Sequence, residues 1–172
     1  MNFDYIITDN VGLLHLIVSV ISLVTGSFVL GLTKGTKTHK RIGYVYSVAM
    51  LLVLITAFMM YNLFGKWGIF HYAAVVSSIT LVLGLVPIFT RKPKKSYISL
   101  HFGFMYWSVF GLYGAFMAEL FVRLPKIIVE NGSPNGMFYN MMGVAIFITM
   151  GIGRYFFVKN TPKWEKIYEV KN

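Results

Sequence analysis

Residues 11–32 read VGLLHLIVSVISLVTGSFVLGL, an unbroken apolar run with no charge and one histidine. A helix that crosses a bilayer needs about 20 mostly apolar residues, and this run has them. Four more stretches do as well: Gly43 to Phe64, Gly68 to Thr90, Leu100 to Val122 and Met137 to Val158. Glu119 is the only acidic residue inside any of them. The connections, Lys34 to Arg41, Gly65 to Trp67, Arg91 to Ser99 and Arg123 to Gly136, each carry a turn residue or a charge. The pattern predicts an all-α integral membrane bundle of five transmembrane helices, one membrane domain over 1–172 with residues 159–172 as its tail.

Composition agrees. Of 172 residues 56% are hydrophobic and 13% charged, where a soluble domain carries about a quarter charged residues. A soluble bundle would need polar outer faces that these helices lack. A membrane barrel would need short alternating segments, and there are none. The absence of cysteine excludes iron–sulfur clusters, thioether-linked haem, thiolate zinc, disulfides and thiol catalysis. Asp4 and Asp9 precede the first run and no small-residue cleavage motif follows it, so it is expected to be a retained span rather than a secretory signal.

The net charge of +10 does not point to nucleic acid, because the cations lie between the apolar runs. Thirteen of the 16 Lys and Arg residues fall in the first connection, the third connection, and Arg154 with the tail. Lys66, Arg123 and Lys126 lie on the other side. Cytoplasmic loops carry the Lys/Arg excess, which predicts an outside amino terminus, a cytoplasmic carboxyl terminus and basic loops against anionic lipid. Trp67, Tyr72, Tyr97, Tyr106, Trp164 and Tyr168 fall near predicted boundaries, the level at which amphipathic rings settle. The run Asn131-Gly132-Ser133-Pro134-Asn135-Gly136 reads as an external turn.

The four histidines carry the functional argument. His15 and His71 lie about one turn into the first and third helices from the outer side; His39 precedes the second helix and His101 opens the fourth at the cytoplasmic side. The face of His15 continues through Ser19, Ser22 and Gly26, and that of His71 through Ala74 and Ser78. The face of His101 continues through Ser108, Ala115 and Glu119, with Gly111 beside it. His101 and Glu119 share a face about 27 Å apart. Small residues let helices or a flat cofactor come close to the backbone, and ionisable side chains in a membrane usually face the bundle interior with a partner.

Three alternatives follow. Each pair supplies both axial ligands of a haem b, with Lys37, Lys40 and Arg41 suited to inner propionates and Arg123 to an outer one. Or His15, His71 and Glu119 hold non-haem iron or zinc near the outer face, serving a membrane oxidoreductase or a hydrolytic reaction. Or the histidines are structural, hydrogen-bonded across helices, in an accessory or assembly subunit of a respiratory membrane complex. Possible partners beyond the lipid bilayer are a quinone or another membrane redox partner.

Other features have plain readings. Glu119 and Arg123, acid first and four apart, form a favourable helix ion pair, which does not exclude a metal or proton role for Glu119. Met105, one turn from His101, is a weaker axial-ligand candidate. Pro87 is expected to kink the third helix and free a carbonyl. Gly151-Ile152-Gly153 marks close packing, and Arg154 a snorkelling anchor. No serine–histidine–acid set suggests a hydrolase. The apolar midplane argues against transport of a charged solute.

The stretch from Lys34 through His39, Lys40, Arg41 and Gly43 to Tyr46 resembles the basic H-R-x-x-G-x-x-Y signature of the bacterial integral-membrane domain-of-unknown-function family 2306. His101, Met105, Ser108, Gly111, Leu112, Ala115, Glu119, Arg123 and Pro125 resemble that family's fourth-helix pattern, and His15 and His71 match its other histidines. Lys40 then Arg41 stands where many members have Arg directly after the histidine. The likeness covers about Val11 to Pro125, with the fifth helix less typical. It implies the fold, the site positions and a bacterial inner (plasma) membrane location, and no activity. The layout of ligands on alternate helices is also similar to that of the ascorbate-type dihaem transmembrane cytochromes b.

Overall fold

The computed structural model describes residues 9–61, 65–123, 129–130, 133–134 and 136–169, with the side chains of 121–123, 129–130, 133–134 and 165–169 left aside. Its helices are α1 (Asn10–Gly31), α2 (Lys37–Met59), α3 (Ile69–Thr90), α4 (Tyr97–Arg123) and α5 (Gly136–Glu169). A short hairpin of β1 (Val129–Glu130) and β2 (Ser133–Pro134) lies between α4 and α5. Val129 pairs with Pro134 and Glu130 with Ser133, so the strands flank Asn131-Gly132. Of the run expected to be a turn, Ser133 and Pro134 form β2 and Gly136 opens α5, while Asn131, Gly132 and Asn135 lie outside the described residues.

Among the described residues, α1, α2, α3 and the Gly136–Trp164 part of α5 are long and apolar enough to cross a membrane. Only 17 to 33% of their apolar windows is buried within the protein, and Phe147 stands 81% exposed. Water penalises such a surface, whereas lipid hydrocarbon solvates it. α4 has 27 residues, about 40 Å of helix, but its Tyr, Trp, Ser, His and Glu residues dilute its apolar content.

The chain divides into two compact units, Met1–Ser78 and Ile79–Asn172, with the boundary inside α3. In the first, α1 packs along α2. The Asp9 carboxylate accepts from the Gly12 N–H at 2.6 Å and starts α1. At its other end Lys34 Nζ donates to the Val29 and Leu30 carbonyls, 2.8 Å each. The chain reverses through Gly35, φ 78°, a conformation glycine adopts without a Cβ clash. Thr36 then caps α2 by accepting from the His39 N–H at 3.2 Å.

The second helix therefore begins at Lys37, not at Gly43, and His39 rides on its first turn rather than preceding it. Hydropathy marks the part of a helix that lipid covers; the cap marks where the helix starts. Gly12, Val18, Ser22, Gly26 and Val29 form the buried face of α1, and Tyr46, Ala49, Met50, Val53, Leu54 and Thr56 that of α2. The predicted Ser22 and Gly26 stripe is thus a packing face. Without a hydrophobic force between helices in lipid, close backbone approach and polar contacts hold such a pair.

In the second unit α5 packs along α4. The Tyr106 hydroxyl donates to the Gly153 carbonyl at 2.8 Å, and a Cβ on Gly153 would lie 2.6 Å from Phe110 Cδ1. Gly151 is exposed with open space around it, so Gly153 alone makes the close contact expected there. Phe138, Met142 and Ala145 extend the buried face of α5. The fifth helix, expected to end at Val158, is the main partner of α4 within this unit and continues to Glu169. Its Trp164 ring packs 4.2 Å from Phe102. Tyr106, expected at a boundary, is buried among Phe102, Phe110 and Phe157.

Candidate functional site

Three of the four histidines have their Nδ1 atoms fixed by hydrogen bonds. His15 Nδ1 lies 2.8 Å from Thr56 Oγ1, joining the start of α1 to the end of α2. The Thr56 hydroxyl sits 2.7 and 3.0 Å from the Leu52 and Val53 carbonyls. With its hydrogen directed there, its oxygen accepts from His15 Nδ1–H.

His101 Nδ1 lies 2.7 Å from the Gly84 carbonyl. A carbonyl only accepts, so His101 carries its proton on Nδ1. α3 and α4 meet closely enough for this because residue 84 is glycine. A Cβ there would stand 2.7 Å from Met105 Sδ and 3.3 Å from the Met105 backbone nitrogen. Pro87 lacks the N–H that would pair with the Leu83 carbonyl, and the carbonyl His101 engages is the next one along the helix, that of Gly84.

His71 has the opposite arrangement. Gly68 starts α3, its carbonyl accepting from the His71 and Tyr72 N–H groups at 3.0 and 3.4 Å. The Gly68 N–H donates to His71 Nδ1 at 3.2 Å. This is the returning arm of a capping box, with histidine where Glu or Gln usually stands. A ring nitrogen that accepts holds no proton, so neutral His71 is protonated on Nε2. That atom is buried and has no hydrogen-bond partner. Trp67 stacks on the ring at 5.2 Å and 23°, and Tyr61 packs at 4.7 Å. Trp67 Nε1 donates to the Tyr61 hydroxyl at 3.1 Å.

His39 is half-buried on α2, and Lys37, Lys40 and Arg41 are exposed beside it. Glu119 is half-buried on α4. Arg123 ends α4, and its side chain, with the expected ion pair to Glu119, lies outside the described set. Among the described residues no three His, Asp or Glu side chains gather where they could hold a metal ion. This gives no support to a His15, His71 and Glu119 site.

Burial against the end of α1 lowers the Lys34 amine from 10.5 to about 8. Thr56, Gly68 and Gly84, which orient the imidazoles, were not singled out from the sequence. Gly68-x-x-His71 is a capping spacing and was legible. The Gly84 partnership depends on helix packing and was not.

No curated protein and no solved structure matches the chain. A family model described as a predicted membrane protein matches residues 12–157, which brings most of the fifth helix within the family pattern rather than leaving it outside. With four apolar helices of spanning length and a match over most of its residues, the chain belongs to the DUF2306 family of predicted membrane proteins.

Proposed function

We propose that the protein is a five-span carrier of electrons across a bacterial inner membrane, with an outside amino terminus, that binds haem b through histidine. The observation that supports this most directly is at His101. Its Nδ1–H donates to Gly84, so the neutral ring carries its lone pair on Nε2, and a second hydrogen bond that fixes tautomer and ring is the usual support of a histidine ligand. His15, with Nδ1 on Thr56, fits the same requirement. These two are the iron ligands of this reading, with His39 a further ligand on the cytoplasmic side. His71 drops out of the ligand set while Gly68 occupies its Nδ1, because its Nε2 then bears a proton. Bound haem would supply one-electron chemistry. Arg41, Lys37 and Lys40 would neutralise propionates, as would Arg123 at the opposite end.

The test is the reduced-minus-oxidised optical spectrum of the purified protein, with metal analysis. Six-coordinate haem bands and at least about one iron per chain are expected. A colourless, iron-free protein would overturn the reading. A second reading, a non-catalytic membrane subunit, draws on the structural work that the histidines already do: His71 caps α3 and His101 ties α4 to Gly84. Copurification with a larger complex and no cofactor would favour it.

A further inference from the structure

We infer that His71 Nε2–H, on a ring packed against those of Tyr61 and Trp67, binds the carbonyl oxygen of a quinone headgroup. The ring is only 2% exposed, and its Nδ1 is taken by the Gly68 N–H, which directs the proton to Nε2. A buried N–H without an acceptor is uncommon and costly in a native structure. An arriving acceptor removes that cost.

Three features define the acceptor. His71 is in the first turn of α3, a helix of membrane-spanning length and hydropathy, so it sits near a boundary where lipid-soluble molecules place polar headgroups. The donor is a neutral imidazole, which suits a neutral carbonyl better than a phosphate. Its neighbours are flat: Trp67 stacks at 23° and Tyr61 packs at 39°. Both rings are partly open, 49 and 40% exposed. A conjugated ring can use those faces, whereas a lipid ester offers a carbonyl without a ring. Trp67 lies on one face of the imidazole and is half exposed, so it is the side chain that would shift to admit the ligand, giving up its hydrogen bond to Tyr61.

This names an electron partner for the function proposed above and rests on that reading for turnover; the binding is tested separately. Full-length protein with isotope-labelled histidine is placed in nanodiscs of phosphatidylcholine and phosphatidylglycerol and titrated with menadione. The His71 Nε2–H resonance, identified by its loss in His71→Phe, is expected to shift and saturate. His71→Phe is expected to weaken binding at least about tenfold, equivalent to about 1.4 kcal/mol. His71→Gln, which can both cap Gly68 and donate, is expected to stay within about threefold. Should His71→Phe fail to fold, Trp67→Leu leaves the cap in place and is expected to weaken binding.

An unmoved His71 resonance at saturating menadione would overturn the inference. So would a resonance that responds to phosphatidylglycerol content instead, which would assign the donor to that lipid's headgroup. Undiminished binding in both His71→Phe and Trp67→Leu would overturn it too. Haem is measured on the same samples. A colourless protein with a menadione-sensitive His71 would sink the electron-transfer reading alone, and a haem protein without that sensitivity would sink this one alone.

Discussion

His71 and His101 lie near helix starts in the same chain, yet their rings are set by opposite hydrogen bonds. At His101 a helix carbonyl accepts from Nδ1, leaving a lone pair on Nε2. At His71 a backbone N–H donates to Nδ1, leaving a proton on Nε2. Two imidazoles that the sequence presents as equivalent are thus suited to different chemistry: one to ligate or accept, the other to donate. The partners differ in origin as well. Gly68 is three residues from His71, so that geometry is local, whereas Gly84 is 17 residues from His101 and reaches it through helix packing.

The largest expected effect tests this difference directly. His101→Ala should remove the haem held at that histidine, while His71→Phe should leave the haem absorbance in place, read from the reduced-minus-oxidised spectrum. Loss of haem in both variants would make the two histidines equivalent after all. Next is Gly84→Leu, which should destabilise the protein by about 1–3 kcal/mol through overpacking, seen as a lower thermal midpoint in detergent. The same variant should release His101 from its carbonyl, visible as a changed imidazole N–H resonance.

Tyr106→Phe removes the buried hydroxyl bond to Gly153 and should cost about 1 kcal/mol. That compares a contact across α4 and α5 with the local one at His71. There, His71→Ala should cost about 0.5–1 kcal/mol by loss of the cap, and His71→Gln should recover most of it. If Ala and Gln behave alike in thermal denaturation, the capping role fails.

The smallest effect is at Lys34, which caps α1 from the connection. Its amine falls to about 8 when folded, from 10.5. Between those values the unfolded chain binds more protons, so stability should rise with pH through that window. Lys34→Met should lose the rise, measured by denaturation across the same pH range.

The apolar runs were legible because lipid demands length and hydropathy from each helix separately. Helix starts were less so. Thr36 and Asp9 are cap residues in the sequence, but hydropathy does not register them, so an apolar pattern alone sets His39 outside its helix. The extension of α5 to Glu169 was hidden for a related reason: residues past Val158 are polar, and their helix is held partly by Trp164 on Phe102, which hydropathy does not register. Ser22, Gly26 and Gly153 were recognisable as small residues at packing positions, though not their opposing partners.

What the sequence alone determined is the class of the protein, the approximate place of each apolar helix and the four histidines from which a site would be built. Those follow from composition and local spacing, which every residue carries with it. Only the tertiary structure decided which nitrogen of an imidazole keeps its proton, because that depends on whether the group opposite is a carbonyl or an N–H. Even His71, whose partner is local, owes the burial of its Nε2 to the packing around its ring, and His101 owes its partner to a helix position where glycine lets another backbone approach.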